Sequence, residues 1–281
     1  MTKPRISVIM PAYNVEKYVG EAIESILNQT FKDFEFIILN DGSTDNTAKI
    51  VKEYAKNDKR IKFIDNKKNR GFVASLNQCL DVAVGEYIAK MDSDDISLPQ
   101  RLEKQVKYLD ENPDVGMVGC GYKAFDKADF EVINVPKVGL IDLLRTCATT
   151  IIMVRKNIID KYDLRFNPDF IYAEDYDFYS RFIRFAPIHN LQEILYLYRW
   201  HGNNVSITKN DIQQKNSEIV RKNILDLLSD DMQVRANIKT IANIKQIKVG
   251  FLLPKWVGRV VCLFIFTGKA RHVFRDKYVK D

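Results

Sequence analysis

Tyr87-Ile88-Ala89-Lys90-Met91-Asp92-Ser93-Asp94-Asp95 sets a mostly apolar run directly against three carboxylates in four residues. The run does not alternate between apolar and polar, as expected for a strand covered on both faces. Three neighbouring acids repel one another unless a cation or solvent neutralises them. At the carboxyl end of a parallel strand they would project into the crevice where such sheets bind ligands. Hard oxygen donors suit Mg²⁺ or Mn²⁺. The plain alternative is an acidic loop capping a helix that starts near Pro99.

Outward from this stretch the same grammar repeats. Strand-like runs lie near Ile6–Met10, Phe34–Leu39, Ile61–Ile64 and Val115–Cys120, and helical patterns near Val15–Leu27, Thr44–Tyr54, Phe72–Val84 and Pro99–Leu109. Alternation of this kind predicts an α/β fold, a doubly wound and mostly parallel sheet with helices on both faces. Asp41-Gly42-Ser43-Thr44-Asp45 reads as a tight turn with capping side chains for the next helix, and Pro99 fits a first helical turn. Beyond residue 150, strand signals near Ile151–Val154 and Ile194–Tyr198 flank a helix near Asp175–Phe185; helices follow near Asp211–Leu228 and Met232–Ile247.

A second candidate site is Leu39-Asn40-Asp41-Gly42-Ser43-Thr44-Asp45, where a carboxylate and a glycine turn could read a base or ribose by hydrogen bonds. A capped strand-to-helix turn explains the same residues. Neither Gly-x-Gly-x-x-Gly nor Gly-x-x-x-x-Gly-Lys-Ser/Thr occurs, which removes the main support for dinucleotide and P-loop readings.

With 281 residues, 46% of them hydrophobic, the chain can bury a large core, and global disorder is excluded. The net charge of +6 is unevenly placed: from Lys245 to Asp281 nine Lys/Arg face two Asp/Glu, so the body is near −1. A near-neutral body argues against nucleic acid as a partner. Cys79, Cys120, Cys147 and Cys262 are scattered and read as buried residues of a reducing compartment. Pro11 and Asn14 interrupt the first apolar run well short of a signal sequence, so a cytoplasmic body is expected. In the tail, Phe251-Leu252-Leu253 and Val260–Phe266 fall short of a spanning helix. A basic, aromatic-bearing amphipathic tail fits docking at the inner face of a membrane, or else packing on the body or a second subunit.

Four segments occur in a telling order: Val8–Asn14, Asn40–Asp45, Asn69-Arg70-Gly71 and Asp92–Asp95. Pro99-Gln100-Arg101-Leu102, Glu174-Asp175-Tyr176-Asp177 and Tyr198–Ser206 follow them. Over roughly Ile6 to Ser206 this resembles the family 2 glycosyltransferases, which share the GT-A fold. The resemblance implies an inverting transfer of sugar from a nucleotide diphosphate, a UDP-sugar first, to a hydroxyl of a glycan or lipid-linked glycan, as in cell-surface polysaccharide synthesis. It places Pro11, Ala12, Tyr13 and Asn14 at the base and ribose, Asp41 at the uracil edge, and Arg70 beside the turn closing the base pocket. Asp92, Ser93, Asp94 and Asp95 match the Asp-x-Asp region, with Mn²⁺ or Mg²⁺ held by Asp94, Asp92 and His201. His201 would also touch the diphosphate. Asp175 matches the catalytic base, with Glu174 as its fallback in another register.

Residues 1–210 would then form the catalytic domain, with a donor half about 1–120 and an acceptor half about 121–210. Residues 211–281 would be a helical basic extension. Two rivals remain at this point. A nucleotidyltransferase needs a glycine- and lysine-rich phosphate loop, for which Pro11–Asn14 is a poor substitute. A non-catalytic binder of nucleotide-sugars would have no use for Asp94, Asp175 and His201 together.

Overall fold

A computed structural model describes residues 3–202, 204 and 208–230 of the chain. The expected helix near Met232–Ile247 and the basic apolar tail lie outside the described residues. The chain divides into two units, residues 1–220 and 221–281, and the site lies in the first.

The first unit opens with strand β1 (Ile6–Ala12), helix α1 (Val19–Leu27), β2 (Phe34–Asp41), α2 (Thr47–Asn57), β3 (Ile61–Asn66), α3 (Phe72–Val82) and β4 (Tyr87–Lys90). β5 (Ile96–Ser97), α4 (Arg101–Glu111), β6 (Met117–Asp126), β7 (Glu131–Val132), β8 (Lys137–Val138) and α5 (Leu140–Arg145) come next. β9 (Met153–Arg155), α6 (Lys156–Lys161), a 3₁₀ turn (Pro168–Phe170), α7 (Glu174–Phe182), β10 (Ile188–Trp200) and α8 (Asn210–Asp230) complete the described elements. One sheet runs β3-β2-β1-β4-β9-β6-β10-β5. Its first four strands are parallel, with Ile9 between Ile37 and Lys90. β9 lies antiparallel between β4 and β6, while β6 and β10 are again parallel.

Every residue of β1 and β2 is buried, as their unbroken apolar runs require. Ile6, Val8 and Met10 share one face with Phe36 and Ile38, packed against Val19, Ile23 and Ile26 of α1 and Leu102, Val106 and Leu109 of α4. Both helices show the i, i+3/i+4, i+7 stripe of an amphipathic helix. Ile9, Ile37 and Leu39 point to the opposite face by strand alternation, where α3 packs on β1 and β2. The core therefore has two layers, and the parallel strands deliver Ala12, Asp41 and Lys90 to one edge. Strand order reverses between β1 and β4, so the crevice at that edge is the topological switch point.

Two helix starts differ from expectation. α1 begins at Val19, because residues 15–18 form a separate turn with Tyr18 N–H on the Val15 carbonyl at 2.9 Å. α4 begins at Arg101, because Leu98-Pro99-Gln100 closes a tighter turn through Arg101 N–H on the Leu98 carbonyl at 3.0 Å. The segment Asn40–Thr47 does more than cap α2. Asp45 Oδ1 accepts from Thr47 N–H at 2.9 Å, and Ser43 Oγ, Asp45 Oδ2 and Thr47 Oγ1 accept from the Asn14, Glu16 and Val15 amides. Asn14 Oδ1 accepts from Thr44 N–H at 2.8 Å in return. The β1 and β2 edge loops are thus laced together. Among the described residues, no helix is long and apolar enough to cross a membrane.

Gly42 sits in the lacing turn at φ +71°, and a Cβ there would lie 2.6 Å from the backbone of Lys68 and Asn69. Gly42→Ala is expected to cost about 2–3 kcal/mol through left-handed strain and backbone displacement. A domain of this size should then melt roughly 4–10 °C lower. An unchanged calorimetric midpoint would show that the turn relaxes freely.

Candidate active site

Three loops from the parallel strands and the start of α7 meet at the switch point. On the first side stand Pro11 and Ala12, buried at the end of β1, with Tyr13 exposed beyond them. Asp41 is buried, and its carboxylate accepts from the Arg70 amide at 2.9 Å, from the Gly71 amide at 2.9 Å and from Asn66 Nδ2 at 3.3 Å. It therefore braces the 69–71 turn, and its lone pairs are largely engaged within the chain. Arg70 contributes its backbone to that brace while its side chain is exposed.

The acidic turn after β4 splits its carboxylates among different partners. Asp92 Oδ1 accepts from Lys90 Nζ at 3.0 Å, and the Asp92 amide donates to Tyr196 Oη at 3.2 Å. Asp94 Oδ2 lies 3.1 Å from His201 Nε2, and the His201 ring stacks on Tyr18 with centroids 5.2 Å apart. Asp95 is buried and accepts from the Arg199 amide at 2.7 Å, while its Oδ2 has no partner among the described residues. Arg199 brackets the turn: Nε donates to the Asp94 carbonyl at 2.9 Å and Nη2 to Glu21 at 2.7 Å. Ser93 is buried between the acids.

At the start of α7 the three acids separate in role. Asp177 is clamped by Arg181 at 2.6 Å and leaves the cleft to its neighbours. Glu174 is buried with Oε2 unpartnered among the described residues. Asp175 Oδ2 accepts from Lys90 Nζ at 3.1 Å, and Asp175 Oδ1 is buried without a donor among the described residues. Lys90 thus joins Asp92 to Asp175 across 83 residues of sequence, with the two bonded oxygens no more than about 6 Å apart.

The electrostatics follow from this crowding. Burial, then the Asp92 charge, pushes Asp94 above the usual carboxylate range against the pull of His201. Burial, then Asp94 and Asp92, pushes Asp95 well above it. Burial, then Asp175, raises Glu174 to about 7. Burial also raises Asp175, with Lys90 opposing and Asp92 adding. For Lys90 burial works against charge, yet Asp175 and Asp92 outweigh it and hold the ammonium firmly protonated. Acids whose pKa values are raised by burial and by one another form a set that a further cation would relieve. Among the described residues, however, no three His, Cys, Asp or Glu side chains are gathered as a ready metal cage. Asp94 and His201 stand as a pair, with Asp92 turned to Lys90.

The structure therefore brings Asp92, Asp94, Asp95, His201, Glu174 and Asp175 together, and places Asn14 and Asp41 as braces of the neighbouring loops. Lys90, Tyr196 and Arg199 were not singled out from sequence. Lys90 carried a weak signal as a charge closing an otherwise apolar strand, and Arg199 sat in a quoted motif without a role.

Residues 7–184 match the description "Glycosyl transferase family 2". An uncharacterized glycosyltransferase of Haemophilus influenzae is 36% identical over 262 residues, covering 88% of this chain and 80% of its own. The O-antigen biosynthesis glycosyltransferase WbnJ of Escherichia coli is 37% identical over 214 residues, covering 70% and 80%. Staphylococcus aureus TarS 1–349 in complex with UDP-GlcNAc matches with a TM-score of 0.69 at 23% identity, covering 83% of this chain and 69% of that one. The mannosyltransferase PcManGT of Pyrobaculum calidifontis, in complex with GDP-Man and Mn²⁺, matches with a TM-score of 0.58 at 17% identity, covering 86% and 80%. With its mixed α/β sheet, its acidic strand end and the match over most of the first unit, the chain belongs to glycosyl transferase family 2, on the GT-A fold.

Proposed function

We propose that this glycosyltransferase moves a sugar, with inversion, from a UDP-sugar to a hydroxyl of a glycan or lipid-linked glycan acceptor in cell-surface polysaccharide synthesis. The observation that carries the reading is the convergence of the Asp92–Asp95 turn and Asp175 on one ammonium, Lys90. The UDP-GlcNAc seated in TarS and the polysaccharide role in the name of WbnJ support it.

The donor would lie across the strand ends, with Pro11, Ala12 and Tyr13 at the base and Asp41 holding the 69–71 turn against it. Asp94 and His201, an oxygen and an imidazole nitrogen 3.1 Å apart, with burial raising the Asp94 carboxyl above the usual range, fit a divalent ion. When bound, Mn²⁺ or Mg²⁺ would offset charge on the departing diphosphate. Asp175 is the base. Its Oδ1 is buried, so the oxygen open to an incoming hydroxyl is Oδ2. Oδ2 takes the hydroxyl proton as the acceptor oxygen bonds to the anomeric carbon from the face opposite the leaving group. The bond from that carbon to the diphosphate breaks, and an α-linked donor gives a β-glycoside. Holding both reactants in line removes much of the entropic barrier.

Asp175→Asn is expected to lower transfer by about 10²–10⁴-fold while UDP still binds. An unreduced rate would refute the base assignment. Because Asp175 must be ionised and its pKa is raised, the rate should rise with pH through an acid limb above the ordinary value of about 3.9. An acid limb near 7 that disappears in Glu174→Gln would hand the role to Glu174.

Asp94→Ala should abolish the thermal stabilisation that Mn²⁺ adds to a UDP-sugar, in a melting screen of nucleotide-sugars with and without the ion. Retention of that increment would remove Asp94 from the metal site. For the tail, we propose peripheral docking at the inner membrane face. A chain ending at residue 245 should no longer sediment with anionic lipid vesicles, and unchanged sedimentation would refute docking.

A further inference from the structure

We infer that Lys90 is a positioning residue for the transfer step, holding the base Asp175 by Oδ2 and tying it to the donor-side turn through Asp92. The inference rests on the assignment of Asp175 as base. Its first ground is that Lys90 supplies the only hydrogen bond to the Asp175 carboxylate among the described residues. Oδ1 is buried and has no donor, so the carboxylate's hydrogen bonding runs entirely through Oδ2. With Oδ1 buried, a carboxylate stripped of its one donor either takes up a proton or swings toward water, and both end its service as a base.

The second ground is the rigidity of the mount. Lys90 closes β4, its side chain is 11% exposed, and the Phe72 ring lies 5.6 Å from its ammonium. The Lys90 amide donates to the Ile152 carbonyl at 3.1 Å, and its own carbonyl accepts from buried Arg101 at 3.1 Å. The ammonium is therefore mounted from the sheet, with Lys90 held by its own backbone at the end of β4. The third ground is the shared charge: Asp92 and Asp175 have no cation between them other than Lys90 among the described residues. Removing it sets two carboxylates against each other across roughly 6 Å, where like charges disfavour joint ionisation. An ordinary structural ion pair pairs one acid with one base at the surface. Here one cation sets the spacing between the donor side and the acceptor side.

The test uses full-length Lys90→Met, Lys90→Gln, Lys90→Arg and Asp175→Asn. Readouts are Mn²⁺-dependent UDP release from the UDP-sugar that stabilises the parent most, calorimetric UDP binding, and thermal midpoint. The two neutral variants are expected to lose kcat by about tenfold or more, with donor KM and UDP affinity within about threefold. Lys90→Arg should recover kcat to within about threefold of the parent, because a guanidinium restores both charge and donors. Neutral variants that keep kcat, or that lose only KM and UDP affinity, overturn the proposal. So do neutral variants that fail to fold while Lys90→Arg folds, since the residue then serves stability. Full activity in Asp175→Asn would refute the base assignment itself, whereas a dead Asp175→Asn beside active neutral Lys90 variants would refute only the role of Lys90.

Discussion

One largely buried ammonium, Lys90 Nζ, lies 3.0 Å from Asp92 and 3.1 Å from Asp175, and it ties the turn after β4 to the start of α7. In the proposed transfer the acids on its two sides would serve different ends of one reaction, the donor diphosphate and the acceptor proton. Left alone, acids this close would hold protons that the chemistry needs them to release. Removing the cation would leave two part-buried carboxylates facing each other without a counter-charge. The arrangement is therefore strong in what it holds apart as much as in what it holds together.

That ion pair is possible because of sheet topology. β4 ends beside β1 at the reversal of strand order, and antiparallel β9 joins β4 to the second half, from which α7 and β10 come. β10 brings Tyr196, Arg199 and the following His201 to the acidic turn, with Arg199 bracketing its backbone and His201 meeting Asp94. The laced loops at Asn14, Ser43 and Thr44 make the opposite wall. The wall at Asn14 is laced across 29 and 30 residues of sequence, and the wall at Asp94 is closed by His201 across 107.

Much of this was legible before any coordinates. Ile6–Met10 and Phe34–Leu39 announce buried strands because every side chain is apolar, and burial on both faces leaves no other pattern. The acids at Asp92–Asp95 and Glu174–Asp175 were visible as residue types that cannot be packed cheaply without a purpose. What could not be read were partners. Asp177, two residues beyond Asp175, shows no partner in the sequence, and Arg181 one helical turn on pairs with it at 2.6 Å. Asp41 looked like a free reader of a base, yet backbone amides 29 and 30 residues away take its oxygens. Lys90 is 85 residues from Asp175 and 2 from Asp92, so its bridging role exists only after folding. Two-residue strands such as β5, β7 and β8 have no period to detect, and their pairing is dictated by β6 and β10.

The most direct test of the account is a crystal structure of the protein with UDP and Mn²⁺ bound. The ion is expected against Asp94 and His201, the diphosphate over the Asp92–Asp95 turn, and Asp175 off the metal, still bonded to Lys90. An ion ligated by Asp175, or a diphosphate seated away from that turn, would contradict it.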